Sequence, residues 1–203
     1  MAWIPGKKLY GERYIIQKEL GKGGYSITYI AKTKNGKEVV IKTLNDEILN
    51  NPNFTTFIEK YQQDFRDEAL RLALCKHQHI VQIENIFQEG KHPCIVMEYV
   101  VGEDLGILVK QKGILSESEG LIYIRQIGKA LIVIHEKGFL HRDVKPHNII
   151  VRNSNHNREA VLIDFGIARE FIPDVILTQT VAGSNGFSPI EQYAEKAKRG
   201  ARK

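Results

Sequence analysis

The stretch His141-Arg142-Asp143-Val144-Lys145-Pro146-His147-Asn148, followed further on by Asp164-Phe165-Gly166, puts a base, a cation and two metal ligands in one order. Phosphoryl transfer from ATP needs this set. A carboxylate, Asp143, would accept or orient the proton of the attacking hydroxyl, a positive charge, Lys145, would sit near the moving phosphate, and oxygens of Asn148 and Asp164 would hold Mg²⁺. Asp-Phe-Gly alone is a common turn tripeptide, and a lone His-Arg-Asp is usually a solvated loop. Here both occur in the right order, after a glycine-rich turn and the strand Val39-Val40-Ile41-Lys42.

With H-R-D-x-x-x-x-N and D-F-G both in place, the chain resembles the protein-kinase family, in particular the bacterial Ser/Thr kinases of eukaryotic type. The resemblance implies ATP and Mg²⁺ as cofactors and protein Ser/Thr hydroxyls as acceptors, since a Lys at position 145 is similar to the Ser/Thr branch and not the Tyr branch. It gives Lys145 the role of neutralising γ-phosphate charge. His141 and Phe165 read as packing residues. Arg142 supplies a cation that a phosphorylated activation segment could satisfy.

Leu20-Gly21-Lys22-Gly23-Gly24-Tyr25-Ser26-Ile27-Thr28-Tyr29 resembles the family's G-x-G-x-x-G-x-V loop, with Ser26 at the third Gly and Thr28 at the Val. Glycine lets backbone N–H groups approach phosphate oxygens with no Cβ in the way. The segment lacks the Gly-Lys-Ser/Thr ending of a Walker loop, and it runs into a strand, not the helix a Rossmann site needs. Lys42 is the counterpart of the Lys that binds the α- and β-phosphates, and strand alternation puts Val40 on its face.

The partner of Lys42 follows from helix geometry. On a helix from about Phe54 to Cys75, at about 100° per residue, Phe54, Phe57, Ile58, Tyr61, Phe65, Ala69 and Leu72 share one stripe with Glu68 near its centre. Glu59 falls on the opposite face. A carboxylate in a buried stripe is costly unless it meets a cation, so Glu68 is the expected partner, with a lengthened loop around Asn45 to Asn53.

By resemblance, Met97-Glu98-Tyr99-Val100 is the hinge, with Met97 as gatekeeper, the backbone of Glu98 and Val100 meeting adenine, and Ile150 as the floor beneath it. The activation segment, Asp164 to Glu191, offers Thr180 and then Thr178 for autophosphorylation, and Gly183-Ser184 matches the Gly-Thr that contacts the catalytic residues. Only the Glu of the closing A-P-E survives in Pro189-Ile190-Glu191. His77 and His79 look like part of the family's H-P-N-I-V turn, not a metal pair.

These residues need elements to hold them. Strands are expected over Tyr14 to Leu20, Ile27 to Ala31, Glu38 to Thr43, Gln82 to Phe87 and Cys94 to Tyr99, with Asn35-Gly36 as a type I′ hairpin signal. Ser116-x-x-Glu119 is a capping box for a helix to about Glu136, with Leu121, Ile124, Leu131 and Ile134 among its apolar positions and Gly138 as the stop. Short strands follow at Ile149 to Arg152 and Ala160 to Ile163. The expected fold is α+β and bilobal, kinase-like, with a five-stranded antiparallel N-lobe sheet, one long helix and a partial helical C-lobe. Residues 1–12 would be an N-terminal extension, about 13–99 the N-lobe, and about 103–203 a C-lobe cut short after the activation segment.

Hydrophobic residues make up 42% of the chain and charged residues 26%, ordinary globular values that argue against disorder. The net charge of +5 is partly gathered in Lys196, Lys198, Arg199, Arg202 and Lys203, which reads as a solvated terminus, so no nucleic-acid partner is expected. Cys75 and Cys94 sit in apolar patterns that suggest reduced, buried thiols and a cytoplasmic domain, and no apolar run is long enough to span a membrane. The competing class is a catalytically inactive nucleotide-binding or interaction module, favoured by Ser26, Val40, Ile190 and the early end of the chain.

Overall fold

A computed structural model describes residues 3–23, 26–50, 58–154, 157–164, 169–170 and 186–188. The chain divides into two compact units, Met1–Ala73 with Gln82–Tyr99, and Leu74–Val81 with Val100–Lys203.

The first unit contains β1 (Lys8–Leu9), β2 (Tyr14–Lys22), β3 (Ser26–Thr33), β4 (Glu38–Leu44), the short helix α1 (Asp46–Leu49), α2 (Ile58–Leu74), β5 (Ile83–Glu89) and β6 (His92–Glu98). Its antiparallel sheet has the order β1-β2-β3-β4-β6-β5, so it has six strands and not five. The added strand lies within the expected extension: Lys8 and Leu9 pair with Ile15 and Tyr14, and Leu9 is buried. Two residues are too few to show a period, which is why the sequence does not announce them.

Alternation decides the faces. Ile27, Tyr29 and Ala31 on β3 and Val39 and Ile41 on β4 are buried in one core with Leu9, Ile16 and Phe87. Each fully buried aliphatic side chain contributes about 1.5–3 kcal/mol, enough to fix the strand register. The turn at Asn35-Gly36 is not type I′, because only Gly36 has positive φ (79°), and the hairpin closes through Thr33 N–H to Lys37 O at 2.9 Å. Part of the expected long loop after Asn45 is the helix α1.

The second unit contains β7 (Glu103–Asp104), α3 (Leu105–Lys112), α4 (Glu117–Glu136), β8 (Phe139–Leu140), a 3₁₀ turn (Pro146–Asn148), β9 (Ile149–Ser154), β10 (Asn157–Leu162) and β11 (Arg169–Glu170). Strands β10-β9-β7 form one sheet and β11-β8 another. Ser116 Oγ caps α4 by accepting the Glu119 N–H at 3.2 Å. The Glu119 carboxylate instead takes Tyr123 Oη at 2.7 Å and Arg158 Nη1 at 2.6 Å, so the capping box is made on one side. Gly138, at φ 77°, follows the helix.

The buried face of α4 is Tyr123, Ile127, Ala130 and Ile134, whereas Leu121 and Ile124 are exposed. Of the positions expected to be apolar, only Ile134 is fully inside. The run Leu121-Ile122-Tyr123-Ile124 is apolar all round, so its period does not select a face. Among the described residues no helix is long and apolar enough to cross a membrane.

Candidate active site

In the first unit, sheet register sets the site. Lys42 lies opposite Thr28 on one side and Ile95 on the other, and Val40 opposite Ile30 and Met97. Residues directly opposite in an antiparallel pair share a face, so Thr28, Val40, Lys42 and Met97 stand together, away from the Tyr29–Ile41 core face. Lys42 Nζ is 2.9 Å from Glu68 Oε1, with the two side chains 11% and 8% exposed. Helix α2 buries Phe65, Glu68, Ala69 and Leu72 as one stripe, and Glu59 is exposed. The helix-face reasoning and the observed ion pair therefore meet on the same carboxylate.

The glycine turn closes between Gly23 N–H and Ser26 O at 2.8 Å, and Asn45 Nδ2 donates to Gly23 O at 3.3 Å. Leu20, Gly21, Lys22 and Gly23 are all exposed along the end of β2. Glu98 N–H donates to Gln82 O at 3.0 Å, and its Oε1 accepts Gln82 N–H at 3.0 Å. That N–H is spent within the unit, so a main-chain contact from Glu98 to a base falls to its carbonyl. The chain passes into the second unit between Tyr99 and Val100.

In the second unit the residues of the expected catalytic loop converge. Lys145 Nζ is 2.8 Å from Asp143 Oδ2, and Asn148 Nδ2 donates to the same oxygen at 3.0 Å and to Asp143 O at 2.9 Å. Asn148 N–H donates to Lys145 O, and Asn148 O accepts from Ile163 N–H, both at 3.0 Å, which ties the loop to the residue before Asp164. Asp143 N–H donates to His141 Nδ1 at 3.2 Å. His141 is 2% exposed, and burial pushes its imidazole down to about 4 against the pull of Asp164 and Asp143. A buried ring held neutral can accept at Nδ1, in keeping with the packing residue expected there.

The two bonds from Asn148 Nδ2 orient its amide, so the carbonyl end points away from Asp143. That oxygen and the Asp164 carboxylate are hard donors, the type that a divalent cation such as Mg²⁺ would take. Among the described residues no group of three or more His, Cys, Asp or Glu could hold a metal by itself. His79 serves the structure of the second unit, where its Nδ1 meets Ala160 O at 2.9 Å and its O accepts Leu162 N–H.

Ile150 sits on β9 opposite Asp104 of β7, pressed against Gly102. A Cβ on Gly102 would fall 2.4 Å from Val151 O, so only glycine lets the chain pass there. Gly102-Glu103-Asp104-Leu105 fits the family's pattern after the hinge, but motif matching passes over Gly106 and the contact between Asp104 and His147, which no local pattern joins. Gly24, Tyr25, Phe165, Thr178, Thr180, Gly183, Ser184 and Pro189-Ile190-Glu191 lie outside the described residues.

Residues 14–199 match the protein kinase domain family. The chain belongs to that family. It is 35% identical over 182 residues to a probable serine/threonine-protein kinase of Clostridium acetobutylicum, covering 89% of this chain and 26% of the relative. To the serine/threonine-protein kinase PknA of Nostoc it is 33% identical over 198 residues, 93% of this chain and 34% of the relative. The chain thus spans between a quarter and a third of the length of these relatives. The crystal structure of the Mycobacterium tuberculosis PknI kinase domain, a double mutant, matches with a TM-score of 0.66 at 23% identity, over 82% of this chain and 63% of that one. The fold is the α+β fold of protein kinases.

Proposed function

We propose that this chain transfers the γ-phosphoryl group of Mg·ATP to Ser and Thr hydroxyls of proteins. The observation that carries the reading is the Asp143 carboxylate, oriented at once by Lys145 and Asn148 in a chain of the kinase family. Leu20, Val40, Met97 and Ile150, with main-chain groups of Glu98 and Val100, would hold the adenine. Thr28 would add a methyl. Main-chain amides of the glycine turn, from Gly21 to Ser26, and the Lys42 ammonium would take the phosphates, with Glu68 fixing that ammonium in place.

Asp143 would orient the acceptor hydroxyl and take its proton as the new oxygen–phosphorus bond forms and the bond to the β-phosphate oxygen breaks, leaving ADP. Lys145 would offset charge on the γ-phosphate oxygens. Asn148 and Asp164 would hold Mg²⁺, which when bound would neutralise phosphate charge. Thr180 and Thr178 are proposed autophosphorylation sites, and the free, buried thiols of Cys75 and Cys94 suit a cytoplasmic setting. The test is incubation with γ-labelled ATP, Mg²⁺ and mixed protein acceptors, followed by phosphoamino-acid analysis. Phosphoserine and phosphothreonine are expected. Binding of nucleotide without any labelled product would favour the inactive binding module instead.

A further inference from the structure

The turn that ends on Asn148 is gripped from outside by a contact the chemistry above does not use. His147 Nδ1 lies 3.0 and 3.2 Å from the two carboxylate oxygens of Asp104. Carboxylate oxygens accept, so Nδ1 carries the proton and both oxygens orient the ring. Asp104 Oδ1 also accepts the Ile107 N–H at 3.0 Å as the N-cap of α3, and Asp104 pairs with Ile150 in the β7–β9 ladder. One carboxylate therefore joins β7, α3 and the 3₁₀ turn.

The room for the ring is made by a missing side chain. A Cβ on Gly106 would fall 2.5 Å from His147 Cε1 and 2.6 Å from its Nδ1. Its backbone is not left-handed, so what demands glycine here is space and not conformation.

We propose that His147 is a positioning residue of the catalytic loop: clasped by Asp104 above Gly106, it fixes the turn that orients Asn148 and, through Asn148, the Asp143 carboxylate. The inference rests on the phosphoryl-transfer reading of the site. The His147 side chain is 60% exposed, and an exposed pair adds little to global stability, so its effect falls on local order and not on the fold.

Three variants test it. His147→Ala removes the ring and leaves the α3 cap alone. Asp104→Ser keeps a good cap but is too short to reach the ring. His147→Asn keeps an N–H donor near the place of Nδ1. Hydrogen exchange of the amides from 145 to 150, measured without nucleotide, is expected to quicken about tenfold in the first two and stay near wild type in the third, with unfolding temperatures little changed. In steady-state assays kcat is expected to fall about three- to tenfold in the first two, less than the loss typical of a buried outer-shell partner, with KM for ATP within about twofold. The double variant Asp104→Ser/His147→Ala is expected to be no worse than the worse single one.

The proposal is overturned if His147→Ala leaves exchange and kcat at wild-type values, if His147→Asn is as damaged as His147→Ala, or if the two single losses add. A wild-type chain that transfers no phosphate would remove the phosphoryl-transfer reading, and the exchange measurement would still decide whether the clasp holds the turn.

Discussion

Lys42 Nζ on β4 and Glu68 Oε1 on α2 form an ion pair of 2.9 Å in a nearly dry setting, and that pair ties the helix to the sheet. Removing one partner leaves the other charge buried and uncompensated, at a cost of about 3–5 kcal/mol. Lys42→Met and Glu68→Leu are each expected to lower stability on that scale and to remove most transferase activity, whereas Lys42→Met/Glu68→Leu recovers stability but not activity. Glu59→Gln, on the exposed face, is expected to be neutral. Urea unfolding and initial rates of the four variants check this, and simple additivity of the two single losses would contradict it.

Two glycines should respond in opposite directions. A Cβ on Gly102 meets Val151 O at 2.4 Å, so Gly102→Ala must push β7 from β9, and overpacking of this kind costs about 1–3 kcal/mol. Gly128, within α4, has nothing within 4 Å of its ideal Cβ, so Gly128→Ala is expected to add about 0.5–1 kcal/mol through helix propensity. Thermal unfolding of both variants tests the pair.

Much of the site is legible in the sequence because its chemistry demands particular residues at particular spacings: Asp143, Lys145 and Asn148 sit within one loop, and their mutual bonds follow from that closeness. Lys42 and Glu68 are legible for another reason, since a carboxylate in an apolar helical stripe needs a cation. The two-residue strands β1 and β7 are not, because they are too short to carry a period. The buried face of α4 is obscured where consecutive apolar residues blur the period of 3.6, so that Tyr123 and Ile127 go inside and Ile124 outside. The clasp of His147 on Asp104 depends on tertiary closeness across Gly106, which no local pattern encodes.

Acid should weaken the second unit through His79. Burial holds its imidazole below the ordinary range, and the bond to Ala160 O offsets this only in part. Below about pH 6.5 the unfolded chain takes up a proton that the folded ring resists, so the unfolded state binds more protons and stability falls as pH falls through that window. Above it the contribution is constant. His141, held down to about 4, acts with the same sign, so His79→Asn should reduce the slope of unfolding temperature between about pH 7 and pH 5 without abolishing it. An unchanged slope would contradict the assignment.

Burial pushes the Cys94 thiol up to about 12 and raises that of Cys75 as well. Only the thiolate attacks a disulfide reagent, so neither residue should react in the native protein near pH 8, and both should react once guanidinium unfolds it. Rapid native labelling of either would show that the core opens at that point.

The most direct test of the central claim compares the wild-type chain with Asp143→Asn in transfer of γ-labelled phosphate to protein hydroxyls, with nucleotide binding measured in parallel. The expected result is label on Ser and Thr with the wild type and a rate lower by about 10²–10⁴-fold in the variant, while Mg·ATP binds both comparably. Equal rates in the two proteins, or a wild type that binds Mg·ATP and transfers nothing, would contradict the account.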